Sequence, residues 1–335
     1  VRIGLTYNLK DKLSPDLPVD AFEEFDTEET IEALASALTG GGHQVFKLGF
    51  GWEVLERIRR DKIDFVFNIA EGIHGRNREA HLPALFELMG VPYSGSDPLT
   101  LSLTLDKAQA KMIVAQAGVL TPAFKVLGED NKEETLPPFP LFVKPLYEGS
   151  SKGIRLNSLV ETKKAFREQV SWLRAQYGEV PLLAESYISG REFTVGVLGN
   201  HDPYILGIME IRLKDQGQAN HPREFIYSLE VKQDWQKLCE YVVPAEMDQT
   251  LEAAVKKSAL ASYRALGCRD VARIDFRVDS KREVYFLEAN PLPGLSPTYS
   301  DLVILARGMG WSYEKLILTI LKHAQERYST RESCK

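Results

Sequence analysis

Short apolar runs punctuate the first hundred residues, and helical spacing fills the intervals between them. Val1–Thr6, Gln44–Leu48 and Phe65–Ile69 have the length of strands. Between the first two, Ile31, Leu34, Ala35 and Leu38 line one face of a helix over Thr27–Leu38. Asp26 or Thr27 offers its N-terminal cap, and Gly40-Gly41-Gly42 stops it. No Walker or dinucleotide fingerprint surrounds that triplet, so it reads as a helix terminus rather than a phosphate loop. Strands alternating with helices predict a parallel sheet with crossover helices. The Pro-rich stretch Lys10–Val19 is then a loop at the strand ends, where such sheets bind ligands.

Beyond Asp106 the rhythm changes. The spacing predicts a helix over Asp106–Ala117, ended by Gly118, and short strands at Ala123–Leu127 and Leu141–Lys144. A helix at Glu161–Tyr177 and a strand at Leu182–Glu185 follow. From Glu192 strands dominate: Glu192–Leu198, Tyr204–Glu210, Val271–Val278 and Glu283–Asn290. Helices are expected at Asp248–Leu266, Ser300–Met309 and Tyr313–Arg327. Arg212–Glu224, charged and bearing Gly and Pro, reads as a mobile loop, and Arg331–Lys335 as a frayed tail.

Composition narrows the class. At 335 residues the chain can form two or three packed units, and 44% hydrophobic residues is ordinary for a globular protein. A net charge of −6 gives no broad basic footprint, which argues against a nucleic-acid partner. No apolar run reaches the length of a membrane span, and Val1–Thr6 reads as a strand rather than a leader. Cys239, Cys268 and Cys334 are widely spaced and form no metal motif, so a reducing, cytoplasmic setting is expected.

The candidate chemistry concentrates in the last hairpin, Val271–Val278 and Glu283–Asn290. Alternation puts Arg273 and Asp275 on one face, and Glu288 and Asn290 share a face of the returning strand. A turn at Lys281-Arg282 would set Asp275 opposite Glu288 and Arg273 opposite Asn290. Such a group of oxygen donors suits Mg²⁺, which takes few carboxylates and completes its shell with water and phosphate. A surface hairpin with a cross-strand ion pair would need the same residues. Earlier in the chain, Phe142-Val-Lys-Pro145 precedes Glu148-Gly-Ser-Ser-Lys-Gly153. A lysine beside a loop whose N–H groups can face an anion would cradle phosphates; a plain Gly/Ser turn looks the same. Glu185–Thr194 reads as strand, linker and strand, with main-chain groups available to an adenine edge and Glu192 to ribose hydroxyls.

Taken in order, these segments resemble the ATP-grasp superfamily and, within it, the D-alanine–D-alanine ligase family. The set is Leu105-Asp-Lys107, Phe142-Val-Lys-Pro145, Glu148-Gly-Ser-Ser151, Glu185…Gly190-Arg-Glu-Phe-Thr194, Arg273-Ile-Asp275 and Glu288-Ala-Asn290…Pro293-Gly294. It implies an ATP-grasp fold: an N-terminal doubly wound parallel-sheet domain over 1–104, a small central domain over 105–184, and a C-terminal antiparallel-sheet domain over 185–328. It further implies ATP as the energy source with two Mg²⁺ ions, and a homodimer. By position, Lys107 and Lys144 match the phosphate lysines, Ser150 and Ser151 the loop over the phosphates. Glu185, Ser186 and Ile188 match the adenine contacts and Glu192 the ribose contact. Asp275, Glu288 and Asn290 match the metal ligands, and Arg273 the arginine that steadies the acyl phosphate and tetrahedral species. Tyr227-Ser-Leu-Glu-Val-Lys232 resembles the flexible loop, with Lys232 at its phosphate lysine.

Four departures fall at substrate-reading positions. The signature that holds the first amino acid's ammonium is absent around Tyr7–Val19. Glu71-Gly-Ile-His-Gly-Arg-Asn-Arg-Glu79 replaces the His-Gly…Glu-Asp-Gly signature. Gln233 stands at the loop tyrosine, and Tyr299, followed by Ser300, stands at the serine that binds the second substrate's carboxylate. The resemblance therefore implies an ATP-dependent carboxylate–amine ligase acting on amino-acid-like small molecules, with D-alanine not expected on both sides. Arg78 and Glu79, with Tyr299 and Ser300, are the candidate substrate contacts. A true D-alanine–D-alanine ligase with a shifted site, a regulatory nucleotide binder and a phosphotransferase are the alternatives.

Overall fold

The computed structural model describes residues 1–10, 20, 24–128, 135–149, 152–214 and 238–332. The first unit is built from β1 (Arg2–Thr6), α1 (Glu28–Gly40), β2 (Gln44–Gly49), α2 (Glu53–Arg60) and β3 (Phe65–Asn68). Its three strands pair in parallel in the order β2-β1-β3, as the alternation predicts. Thr27 caps α1, its side chain accepting from the Thr30 N–H, and the helix ends at Gly41. The predicted face is the buried one: Ile31, Leu34 and Leu38 pack against Ile3 and Leu5. After a single 3-10 turn at Arg78–Ala80 come α3 (His81–Met89), α4 (Pro98–Leu105) and α5 (Lys107–Gln116).

The second sheet is antiparallel and contains β4 (Phe124–Leu127), β5 (Leu141–Pro145), β6 (Leu159–Val160) and β7 (Leu182–Ser186), in the order β4-β7-β5-β6. Helix α6 (Lys163–Tyr177) covers one face through Phe166, Val170 and Leu173. The third sheet contains β8 (Arg191–Leu198), β9 (Tyr204–Leu213), β10 (Cys239–Val242), β11 (Val271–Val278) and β12 (Val284–Asn290). Its order, β10-β9-β8-β11-β12, is antiparallel throughout. Helix α7 (Gln249–Ala265) packs on one face, where Val255, Ala259 and Tyr263 meet Ile274, Phe276 and Phe286. On the other side, α8 (Asp301–Gly308) and α9 (Tyr313–Glu332) join Leu198, Met209 and Ile211 to the core of the first unit. Because Ile274 and Phe276 are committed to the α7 face, Arg273 and Asp275 must point the other way.

A buried ion pair ties the units together. Arg327 of α9 donates to Asp270 at 2.9 Å, and the Gly95 N–H donates to the same oxygen at 2.8 Å. Asp270 is fully buried, and removing one partner of such a pair costs about 3–5 kcal/mol.

Two boundary expectations need correction. Arg212 is not loop but strand: β9 runs on to Leu213, with Arg212 paired to Glu240 of β10. The rest of the expected mobile loop lies outside the described residues, apart from Lys214. The C-terminal helix does not stop at Arg327 but continues to Glu332, because Tyr328 packs edge-on against Phe65 at 6.1 Å. Lys10–Val19 is outside the described residues except for Lys10. Cys239 and Cys268 are buried free thiols that burial pushes up to about 12; Cys334 is outside. Among the described residues no helix is long and apolar enough to cross a membrane.

Candidate active site

The hairpin closes as its sequence predicts. Asp279 folds back so that its carboxylate accepts from the Lys281 and Glu283 N–H groups, both at 2.9 Å, and Arg282 takes the left-handed φ of +69°. The ladder then pairs Arg273 with Asn290 and Asp275 with Glu288, before a bulge between Asp275 and Phe276. Arg273 donates to Asp275 through Nη2 at 3.0 Å and to Asp301 through Nη1 at 3.3 Å. Thr194 of β8 donates to the other Asp275 oxygen at 2.8 Å. Asn290 donates to Asp275 at 3.4 Å and Glu288 at 3.5 Å, so four of the predicted groups do converge.

Their charges are set by confinement. Burial raises the Asp275 carboxyl, and the facing Glu288 adds to this against the pull of Arg273. Burial also acts on Glu288, but Lys107, Lys144 and Arg273 outweigh it and hold that carboxyl low. Two facing carboxylates with the Asn290 amide beside them are oxygen donors suited to a Mg²⁺ ion that completes its shell elsewhere.

Beside the hairpin lies a second charged knot. Lys144, near the end of β5, pairs with Glu185 of β7 at 2.7 Å, and Lys111 pairs with the other Glu185 oxygen at 2.8 Å. Burial would raise Glu185, yet the two lysines hold it at about 2. The same burial pushes Lys111 down to about 8. The chain leaves β7 through a linker that turns at Gly190, φ +146°, where any Cβ would lie 2.0 Å from the Val278 carbonyl oxygen. Arg277 braces this linker: it donates to Glu192 at 2.8 and 3.1 Å and to the Ile188 carbonyl at 2.9 Å. Together Phe142, Lys144, Glu185, Ser186, Ile188 and Glu192 line one cavity.

A second cavity opens on the other side of Arg273 and Glu288. Its walls include Glu24, Asp26, Glu71, Glu79, Lys107, Tyr299 and Ser300. Lys107 starts α5, donates to the Glu148 carbonyl and stands 3.6 Å from Glu288. Tyr299 is 41% exposed at the rim. The Ser300 hydroxyl accepts from the Ser296 N–H at 2.9 Å, which shapes the turn before α8. Arg78 has a different surrounding from the one its sequence position suggests. It is buried behind the cavity wall, donating to both Glu24 oxygens at 2.8 and 2.9 Å and to the Tyr147 carbonyl at 2.9 Å. Glu24 in turn accepts from the Gly149 N–H at 2.7 Å, so the pair anchors the start of the Gly/Ser loop. Ser150, Ser151 and Lys232 are outside the described residues.

Several members of the site escaped the sequence reading. Lys111 lies one helical turn after Lys107, and Arg277 lies on the strand face of Asp275; both spacings were readable. Asp301 follows Ser300 directly. Glu24 carried no such signal, since its partner Arg78 is 54 residues away.

Comparison with known proteins places this geometry in a family. The family model described as D-ala D-ala ligase C-terminus matches residues 113–322. The chain is 37% identical to an uncharacterized protein, y4sG, of Sinorhizobium fredii, covering 78% of this chain and 75% of that one. It is 32% identical to the D-alanine–D-alanine ligase of Bordetella petrii, over 88% of this chain and 86% of the relative. Among solved structures, VanG D-Ala:D-Ser ligase from Enterococcus faecalis superimposes with a TM-score of 0.73 at 21% identity, covering 96% and 99% of the two chains. The Bacillus anthracis D-alanine–D-alanine ligase complexed with ATP gives 0.72 at 24% identity, covering 98% and 99%. The two antiparallel sheets that grip the charged hairpin are the ATP-grasp fold, and the chain belongs to the D-alanine–D-alanine ligase family as an ATP-dependent ligase.

Proposed function

We propose that the protein joins a carboxylate to an amine, at least one of them amino-acid-like, with D-alanine not serving on both sides. The observation that carries this reading is that two cavities meet at Arg273, Glu288 and Asp301. One has the adenine-and-phosphate character of Lys144, Glu185, Ile188 and Glu192; the other is polar and lies beyond the hairpin carboxylates.

In this reading the substrate carboxylate takes the γ-phosphoryl group of ATP, and ADP leaves. The amine attacks the acyl carbon, phosphate departs with the carboxylate oxygen, and the amine loses its proton. Lys107 and Lys144 hold the phosphates, with Ser150, Ser151 and Lys232 closing over them. Glu185, Ser186 and Ile188 receive the adenine, and Glu192, fixed by Arg277, receives the ribose. Arg273 steadies the oxyanion, a donor role worth roughly 3–4 kcal/mol. Asp275, Glu288 and Asn290 would hold two Mg²⁺ ions, which supply charge neutralisation on the transferring group. Loops that close over the site would keep water from the acyl phosphate. Tyr299, Ser300 and Glu79 face the substrates, while Arg78 contributes through Glu24 and Gly149. We also propose a homodimer, a cytoplasmic setting, and units at 1–104, 105–186 and 187–328. The second boundary moves from 184 to follow Ser186 because β7 runs through it.

The name carried by several of these relatives favours a second reading, a true D-alanine–D-alanine ligase. An ADP-release screen with amino acids of both hands, alone and in pairs, with mass analysis of the product, separates the two. Equal amounts of ADP, phosphate and a mixed amide support the proposal; D-alanyl-D-alanine made faster than every other product overturns it.

Tyr299→Ser is expected to change the preferred amine while leaving the KM for ATP within about twofold, since uniform binding of the nucleotide is untouched. A site that stops matching one polar group rejects its old partner strongly, so the ratio of acceptor kcat/KM values should move tenfold or more, on the order of hydrogen-bond discrimination. An unchanged acceptor profile would remove Tyr299 from the substrate contacts.

A further inference from the structure

Among the described residues, the lining of the second cavity has more carboxyl groups than cations to pair with them. Glu24 is matched by Arg78 through two hydrogen bonds. Lys107 is engaged by Glu288 and the Glu148 carbonyl, and Arg273 by Asp275 and Asp301. Three carboxylates remain on the lining: Asp26, Glu71 and Glu79. Glu79 is only 8% exposed, and among the described residues its carboxylate has no hydrogen-bond or ion-pair partner. The side chain of Asp26 likewise has no hydrogen-bond or ion-pair partner among the described residues. Buried carboxylates are normally paired, because an isolated charge is costly to desolvate. Here the buried Glu79 lines the cavity together with the half-buried Asp26 and Glu71.

Resting on the ligase reading above, we propose that the substrate in this cavity carries a second cationic group beyond one ammonium, as a diamino acid does. One ammonium supplies one charge and three N–H donors, which leaves a wall of three carboxylates under-matched. A bound metal ion is the competing occupant. The binding test below separates the two, since a wall that holds a metal ion gains nothing from a second ammonium. Burial pushes Asp26 up to about 7 and Glu79 up to about 8. Asp26 and Glu79 can thus give up their protons when a cation arrives near neutral pH, while burial and the neighbouring Glu79 raise Glu71 as well. Glu71 and Glu79 both stand in the segment that departs from the family signature.

The test uses the whole chain and two readouts. First, calorimetric binding compares 2,3-diaminopropionate, ornithine and lysine of both hands with alanine and norvaline, without ATP. Second, ADP release is measured with the same compounds. At least one diamino acid should bind tenfold or more tightly than its neutral counterpart and show the higher kcat/KM. Glu79→Gln, and independently Asp26→Asn, should reduce that discrimination ratio tenfold or more. A neutral amino acid preferred over every diamino acid in binding would overturn the inference. So would a ratio unmoved in both folded variants. Preferential diamino-acid binding without ADP release would uphold the cavity assignment and sink the ligase reading instead.

Discussion

Asp275→Asn, and separately Glu288→Gln, should lower turnover on the order of a hundredfold or more, since a metal's stabilisation of transferring charge is worth several kcal/mol. Both substitutions keep shape and should keep the fold. Asp275 and Glu288 face each other across the ladder, and burial together with the facing Glu288 raises the Asp275 carboxyl against the pull of Arg273. Neutralising one relieves that repulsion. In Asp275→Asn the new amide oxygen could still accept the hydrogen bond that Thr194 donates to Asp275 at 2.8 Å. The packing beneath, Ile274 and Phe276 against α7, is untouched. The measurement pairs ADP release at saturating Mg²⁺ with urea unfolding. Loss of activity at an unchanged midpoint is the expected pattern; wild-type turnover in either variant would remove the metal assignment.

Lys144→Ala should act on the nucleotide. Its ammonium is buried between Glu185 and the neighbouring cavity, 2.7 Å from one Glu185 oxygen. Removing it deletes a cation from the phosphate side and leaves Glu185 with Lys111 alone. Loss of a charge that stabilises the transferring group costs about 2.7–4 kcal/mol, equivalent to roughly a hundredfold to a thousandfold in kcat/KM for ATP. The amino-acid KM should change much less. The variant should also lose acid tolerance. Glu185 is held at about 2, below its ordinary 4.5. The stability it contributes is therefore present above about 4.5 and is lost as pH falls toward about 2. Weaker pairing narrows that window from below. Unchanged ATP kinetics would contradict the placement of Lys144 at the phosphates.

The parts of this site that could be read from sequence are those whose geometry is local. The Asp275–Glu288 register follows from strand alternation and an Asp279 turn only a few residues long. Helix α1 was marked by both its cap and its glycine stop. Helix α4 was hidden because Pro98–Leu105 alternates apolar and polar residues with a strand-like period of two. Helix α2 buries only Val54 and Ile58, too few to stand out. Long-range pairings were invisible for a different reason. The Glu24 tether to Arg78 and Gly149 depends on how a loop lies over a distant unit, which no spacing encodes. The unmatched carboxylates of the second cavity are of the same kind: Asp26, Glu71 and Glu79 become one wall only in the folded chain.

If ATP activates a substrate carboxylate that an amine then captures, an amino acid carrying ¹⁸O in its carboxylate should give up one ¹⁸O atom to each phosphate released and keep one in the amide, as read by mass analysis of both products. Phosphate free of ¹⁸O, or a phosphorylated product in place of an amide, would contradict this route.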